Sequence, residues 1–246
     1  MICAIIIGRK GSKGFANKNV YKINNKMLFE FPIIECKKSK LINKIYVSTD
    51  SEIIKKKSLK KYKTDFVERP SRLNNSKALG EDVFKYVADE VTLKNKKKIE
   101  FFVLLFANSP TFSYKMLDEA IKKLRKNKDA DSIVSVSKYN MWSPLRARKV
   151  NSKGFLDPFV KFEYFGNPKT LNCDRDAQGD VLYADMSFSI VKPKCFHRMK
   201  NNLLPQKWMG KKILPYYSEA GLDIDYEWQI PQAQFWLNKI KNVKKR

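Results

Sequence analysis

The sequence predicts an α/β protein, a doubly wound and mostly parallel sheet with helices on both faces. Three observations carry this. Short apolar runs rich in β-branched residues recur along the chain. Amphipathic stretches of helical spacing separate them. The order strand, loop, helix repeats as far as Val136, which is how parallel strands joined by crossover helices read.

Residues 2–7 (ICAIII) are continuously apolar, as in a strand buried on both faces. A Gly/Lys/Ser loop covers 8–19, and 28–38 has helical spacing. A second strand is predicted at 44–48, a charged helix at 52–61 and a short strand at 65–67. In the helix predicted at 79–93, Val83, Val87 and Val91 recur every fourth residue. Residues 101–106 (FFVLLF) give the strongest strand signal. In the helix expected at 113–126, Leu117, Ala120, Ile121 and Leu124 share a face, and a strand follows at 131–136. Regularity fails over 139–180, where Trp142, three prolines and scattered aromatics carry too much apolar surface for a solvated linker. Strands resume at 186–191 and 213–217. A last helix at 227–240 holds Pro231 in its first turn, and the tail from 241 is expected to fray. The division expected is one domain over 1–246 with an inserted arm at 139–180.

At 246 residues, 43% hydrophobic and 13% aromatic, the chain can build a core, which excludes wholesale disorder. No apolar run approaches the ~18 residues of a membrane span, and 2–7 lacks the flanks of a signal peptide, so a cytoplasmic protein without a membrane partner is expected. Cys3, Cys36, Cys173 and Cys195 form no CxxC pair and are read as reduced thiols. A single histidine, His197, excludes multi-histidine metal sites. Its place beside Cys195 and Phe196 reads as structural.

The net charge of +25 comes from 50 Lys+Arg against 25 Asp+Glu. It admits a polyanion partner such as nucleic acid, or a lysine-rich solvated surface. Lysine dominates, and its clusters at 55–57, 96–98 and 244–246 fall in helix ends, loops and the tail, without the arginine and aromatic interleaving of a nucleic-acid reader. The solvated surface is the favoured reading, and no specific nucleic-acid partner is expected.

The loop after the first strand carries the chemistry. In parallel α/β sheets ligands bind beyond the carboxyl ends of the strands. Gly8, Gly11 and Gly14 let backbone N–H groups approach an anion, and Arg9, Lys10, Lys13 and Lys18 add charge suited to a triphosphate. Neither a P-loop nor a dinucleotide fingerprint is present.

The stretch GRKGSKGFANKN resembles the N-terminal signature of the sugar-acid cytidylyltransferases, the acylneuraminate (CMP-sialic acid) synthetases with CMP-Kdo synthetases as more distant relatives. Gly8 stands in the Ala place of that signature. Arg9, Gly11, Ser12, Lys13, Gly14, Lys18 and Asn19 are in register. The resemblance continues in order through VSTD at 47–50, Arg69-Pro70 with Leu73, Ser109-Pro110 and Ser135-Val136. It reaches Pro144, Arg146 and Lys149, and then Asp223-Ile224-Asp225. Three places depart from it. Phe106, Ala107 and Asn108 stand where the family has a Gln, often followed by Pro-Thr. Asp185-Met186 replaces an Asn-Gly, and Gln229 replaces the last Asp of DIDxxxD.

The resemblance implies a nucleotide-diphospho-sugar transferase-like fold and nucleotidyl transfer from CTP to a 2-keto sugar acid. The acid would be of sialic, legionaminic or pseudaminic type, with Kdo or another acceptor as the alternative. Gly8, Arg9, Gly11, Ser12, Lys13, Gly14, Asn19, Arg69 and Asn108 would bind the nucleotide, with Asn108 the candidate replacement for the missing Gln. Arg9, Lys18 and Asp225 would act in catalysis. A lone DxD is often only a turn or cap. Beside a phosphate loop, Asp223 and Asp225 become candidate Mg²⁺ ligands, because alternate residues of an extended segment face one side. Arg146, Lys149, Lys161 and Arg175 read either as surface charges or as a site for the sugar carboxylate. In the relatives that region is a dimer arm, so a homodimer is expected. Trp142, Phe159 and Phe162 read as interface or core packing, and Asp50 as a cap for the helix that follows it. A non-catalytic nucleic-acid-binding protein is the alternative from another class.

Overall fold

A computed structural model describes the chain apart from residues 12, 13, 76, 173, 175, 176, 178, 220 and 244–246. Seven strands form the central sheet: β1 (Ile2–Gly8), β2 (Lys44–Thr49), β3 (Asp65–Phe66), β4 (Phe101–Phe106), β5 (Ser132–Lys138), β6 (Leu182–Val191) and β7 (Ile213–Tyr217). Their order is β7-β5-β6-β4-β1-β2-β3. Every pairing is parallel except those of β6, which runs antiparallel to β4 and β5.

β1 shows why the central strands are apolar throughout. Ile2, Ala4 and Ile6 point into one layer, against α1 (Glu30–Lys38) and α4 (Tyr114–Lys126). Cys3, Ile5 and Ile7 point into the other, against α3 (Gly80–Lys94) and the segment around Phe196 and Trp208. The valines spaced four apart on α3 are all buried there, as their periodicity requires. Ser113 caps α4, accepting from the Met116 N–H. α2 (Glu52–Lys60) flanks the β2 edge, and a short α5 (Lys194–His197) follows β6. The last helix, α6 (Ile230–Val243), docks onto Leu222, Ile224 and Leu28 as a third cluster, after a 3₁₀ turn at Glu227–Gln229.

Element positions follow the sequence reading to within a few residues, and two differences have physical causes. β6 begins four residues earlier than expected: Leu182 and Tyr183 are exposed, and the buried, polar Asp185 separates this first part from the apolar run that follows. Its register against β5 breaks between Ala184 and Ser189. At that break Met186 takes φ +61°, the left-handed region in which the resembling family places glycine. The sequence reading also passed over a small hairpin that pairs Lys22–Ile23 with Lys26–Met27, whose turn residues Asn24 and Asn25 take φ +49° and +62°, as asparagine tolerates. Within 139–180, short 3₁₀ turns surround a second hairpin, Arg148–Val150 with Leu156–Pro158. Trp142, Phe155, Phe159 and Tyr164 stand exposed on this arm. No helix among the described residues is long and apolar enough to cross a membrane.

Candidate active site

β2 and β3 lie on one side of β1, and β4 on the other, so the strand order reverses between the parallel strands β1 and β4. That switch point is where such a sheet opens a crevice at its carboxyl edge. A cleft of ≈ 380 Å³ lies there, between the ends of β1 and β4. One wall is apolar, made of Leu73, Ala78, Val83 and Phe106, and the other is polar. A larger cavity of ≈ 810 Å³ sits at the opposite edge of the sheet, lined by Lys96, Lys97, Lys98 and Lys128. The smaller cleft is the candidate site, because the glycine loop and an acidic residue, Asp225, meet in its lining.

The polar wall starts with the loop after β1. Gly8 and Gly14 are required by close packing. A Cβ at Gly8 would come within 2.6 Å of the Ala107 Cβ, and one at Gly14 within 2.8 Å of the Asp225 carbonyl oxygen. Asp50 holds the loop from the end of β2. Its Oδ1 accepts from the Lys10 N–H at 2.6 Å and from Arg69 Nη2 at 3.3 Å. Arg69 also donates to the Gly8 carbonyl at 3.2 Å. Burial pushes the Arg69 guanidinium below its usual pKa, with the Asp50 charge opposing. Asp50 is therefore a loop anchor and not the helix cap expected of it; Ser51 occupies the cap position of α2. Asn19 donates from Nδ2 to the Arg9 carbonyl at 2.9 Å. Asn19 Oδ1 and Arg69 Nε are buried on residues lining the cleft with no partner of their own. Such orphaned atoms are what a bound polar ligand would satisfy.

Opposite the loop lies the acidic pair. Leu222 and Ile224 are buried in the cluster under α6, so Asp223 and Asp225 turn the other way. Two bonds tie this segment to the end of β4: the Ile224 N–H donates to the Asn108 carbonyl at 3.0 Å, and Asn108 Nδ2 donates to the Ile224 carbonyl at 2.9 Å. Gln229 Oε1 accepts from the N–H groups of Asp225 (2.7 Å) and Tyr226 (2.8 Å), while its Nε2 donates to the Asp223 carbonyl at 3.2 Å. Lys18 Nζ forms an ion pair with Asp225 across the cleft. Burial raises the Asp223 carboxyl to about 6, helped by the Asp225 charge and opposed by Lys18.

The donor set fits a hard divalent cation. Among the described residues no cluster of three or more His, Cys, Asp or Glu could form a protein cage. Two carboxylates beside a phosphate loop suit Mg²⁺, which keeps waters and takes substrate oxygens for the rest of its shell.

The cleft thus gathers Gly8, Arg9, Gly14, Lys18, Asn19, Arg69, Asn108 and Asp225. Asp223 lies half-buried beside it. Gly11 takes φ +72° and stands outside the lining. Arg146, Lys149 and Lys161 are exposed on the arm, away from the cleft of their own chain. Ser12, Lys13 and Arg175 lie outside the described residues. Sequence reasoning missed Asp50 as an anchor and Tyr226 as a lining residue, whose ring would touch a Cβ at Gly14 at 3.2 Å. Their positions at a strand end and directly after DID were the available signals.

The cytidylyltransferase family pattern matches residues 3–245. The chain belongs to the cytidylyltransferase family. It is 31% identical over 146 residues to a pseudaminic acid cytidylyltransferase and UDP-2,4-diacetamido-2,4,6-trideoxy-beta-L-altropyranose hydrolase of Helicobacter pylori, covering 58% of this chain and 27% of that protein. It is 32% identical over 139 residues to the N-acylneuraminate cytidylyltransferase of Escherichia coli, covering 56% of this chain and 32% of the relative. The match therefore spans about a third or less of either relative. In fold the chain is similar to a CMP:2-keto-3-deoxy-manno-octonic acid synthetase complexed with CTP. The TM-score is 0.67 at 10% identity, over 97% of this chain and 99% of that one. The nucleotide-diphospho-sugar transferase-like fold expected from the sequence is the fold observed. Asn108 lines the cleft and donates from Nδ2 to the Ile224 carbonyl, which ties the 223–225 segment to the end of β4.

Proposed function

We propose that the chain activates a nonulosonic-type sugar acid with CTP. The anomeric hydroxyl oxygen of a 2-keto acid attacks the α-phosphorus, the bond to the β-phosphate breaks, and a CMP-sugar, pyrophosphate and a proton result. One observation carries the reading: the glycine loop and Asp225 face each other across the switch-point cleft, with Lys18 bridging to Asp225 and Asp223 half-buried beside it. The names of the family's relatives support the acceptor class.

In this reading the apolar wall receives the base, and Arg9 with the loop backbone holds the outer phosphates. Lys18 neutralises charge near the α-phosphate, and Arg69 and Asn19 supply their orphaned atoms to the nucleotide. Asp223 and Asp225 would hold Mg²⁺, which polarises the phosphoryl oxygens and neutralises the leaving group. The exposed aromatics of the arm support a homodimer in which Arg146, Lys149 and Arg175 serve the partner's sugar site. Consumption of CTP supports a cytoplasmic location. A different sugar acceptor is the second reading: Phe106, Ala107 and Asn108 stand where the resembling family has its Gln and Pro-Thr.

The test is pyrophosphate release from CTP and Mg²⁺ across a panel of 2-keto sugar acids, with Asp225→Ala as control. Release with one nonulosonic acid, lost in the control, is expected. CTP binding no tighter than ATP or GTP binding would overturn the reading and bring forward a basic, nucleic-acid-binding surface.

A further inference from the structure

Asp185 is a buried carboxylate beside the cleft that the proposed mechanism does not use. It sits where β6 bulges and is 7% exposed. Its oxygens accept from Ser135 Oγ at 2.5 Å, Ser137 Oγ at 2.7 Å and the Ser187 N–H at 3.0 Å. No lysine, arginine or histidine pairs with it among the described residues. Hydrogen bonds satisfy its lone pairs, but a buried charge without a counter-charge remains costly. A neutral amide would fill the same space at lower cost, so the charge itself calls for an explanation.

The explanation lies in what rests on it. The backbone of Gly221 packs directly against this carboxylate: a Cβ there would lie 1.7 Å from Asp185 Cγ. From that point the chain runs through Asp223 to Asp225. Leu222 and Ile224 are turned into the core, so 221, 223 and 225 share the other side. Asp185 therefore lies at the buried end of a row of three carboxylates whose outer two are the proposed cation ligands. A cation at the outer pair would offset the whole row.

We propose that Asp185 is a positioning residue for the divalent cation, its buried charge strengthening cation binding at Asp223 and Asp225 while it seats the 221–225 segment. This rests on the Mg²⁺ reading of the acidic pair. Charged partners behind a metal ligand are worth about 10–100-fold in metal affinity. Asp185 meets the segment at Gly221, two residues before Asp223, and bonds to neither ligand, so a loss at the low end, about tenfold, is expected when its charge is removed.

The experiment is Mn²⁺ titration of the whole, nucleotide-free protein, with free Mn²⁺ counted by electron paramagnetic resonance. Wild type, Asp185→Asn and Ser137→Ala are compared, and folding of each is checked by thermal unfolding. Asn fits the site: its oxygen can accept from Ser135 and Ser187, and the Ser137 hydroxyl can accept from the amide while donating to the Ser218 carbonyl, now 3.2 Å away. Ser137→Ala removes one donor and leaves the charge. A folded Asp185→Asn with Mn²⁺ affinity down about tenfold, beside a Ser137→Ala change of less than about twofold, supports the proposal. Unchanged affinity in Asp185→Asn overturns it, and so does an equal loss in both variants, which would make Asp185 only a structural tie. If wild type binds no Mn²⁺, the metal reading of the pair fails first, and this role fails with it.

Discussion

Asp50→Asn should be among the most damaging single-atom changes near the cleft. It removes a charge but leaves an oxygen for the Lys10 N–H. The ion pair it breaks is well buried, with side-chain exposures of 3% for Arg69 and 19% for Asp50. Deleting one partner of a buried pair costs about 3–5 kcal/mol, because the other charge is left without compensation. Here Arg69 keeps the Gly8 carbonyl, and water reaches the Asp50 side, so the low end applies, about 3 kcal/mol. At ~2–4 °C per kcal/mol for a chain of this size, the melting temperature should fall by about 6–12 °C. Asp50→Ala also frees the Lys10 N–H, so CTP affinity measured by calorimetry should drop about tenfold further, the worth of one charge-assisted hydrogen bond. A melting point for Asp50→Asn within about 2 °C of wild type, under 1 kcal/mol, would refute the claim that Asp50 neutralises Arg69.

Three further outcomes are expected. Burial pushes the Glu30 carboxyl up, but hydrogen bonds from Tyr62, Lys57, the Met27 N–H and Lys61 prevail and hold it at about 2, below its ordinary 4.5. Its stabilisation is thus present above 4.5 and is lost as pH falls from there toward 2. Glu30→Gln should unfold at lower urea at neutral pH, with a flatter acid limb in that window. Asp223 has the opposite sign: raised to about 6, it favours the protonated form, so its contribution to folding is lost as pH rises through 6 and a cation must displace its proton below 6. The Mg²⁺ concentration needed for half-maximal pyrophosphate release should therefore rise as pH falls from 7.5 to 5.5, and a flat requirement would exclude Asp223 as a ligand. Finally, Phe155→Glu with Phe159→Glu, both on the exposed arm, should convert a dimer to a monomer in light scattering; a wild-type monomer would remove the arm's proposed role.

The parts legible in the sequence were those whose signal is local. β1 and β4 are buried on both faces and so read as unbroken apolar runs. The glycine loop and DID are short motifs, and Gly8, Arg9, Gly14 and Asp225 from them fall on one cleft because the loop follows a strand end and DID is held by the buried Ile224. Contacts between distant segments were not legible. Asp50 looks like a cap because it precedes a helix, yet its partners lie 40 and 19 residues away. The antiparallel course of β6 has no local mark. Gln229, a departure from the family pattern, looks like a lost acidic group. In place it accepts from two N–H groups and donates to the Asp223 carbonyl, and an aspartate carboxylate could not make that last bond.

The charges on the cleft wall explain why an outside cation belongs to the proposed reaction. Arg9, Lys18 and Arg69 line it, which looks like ample positive charge for a triphosphate. Two of them are already committed: Arg69 to Asp50, and Lys18 to Asp225. Among the described lining residues that leaves Arg9 as the cation without a carboxylate partner. A triphosphate brings several negative charges into a site that also holds Asp223 and Asp225, so binding by side chains alone would add repulsion. If Lys18 moves to the phosphates, Asp225 loses its counter-charge. A divalent cation held by Asp223 and Asp225 would offset both deficits at once, by supplying the positive charge that Lys18 gives up and that the phosphates need. On this reasoning the Lys18–Asp225 ion pair holds the site neutral until nucleotide and cation arrive together.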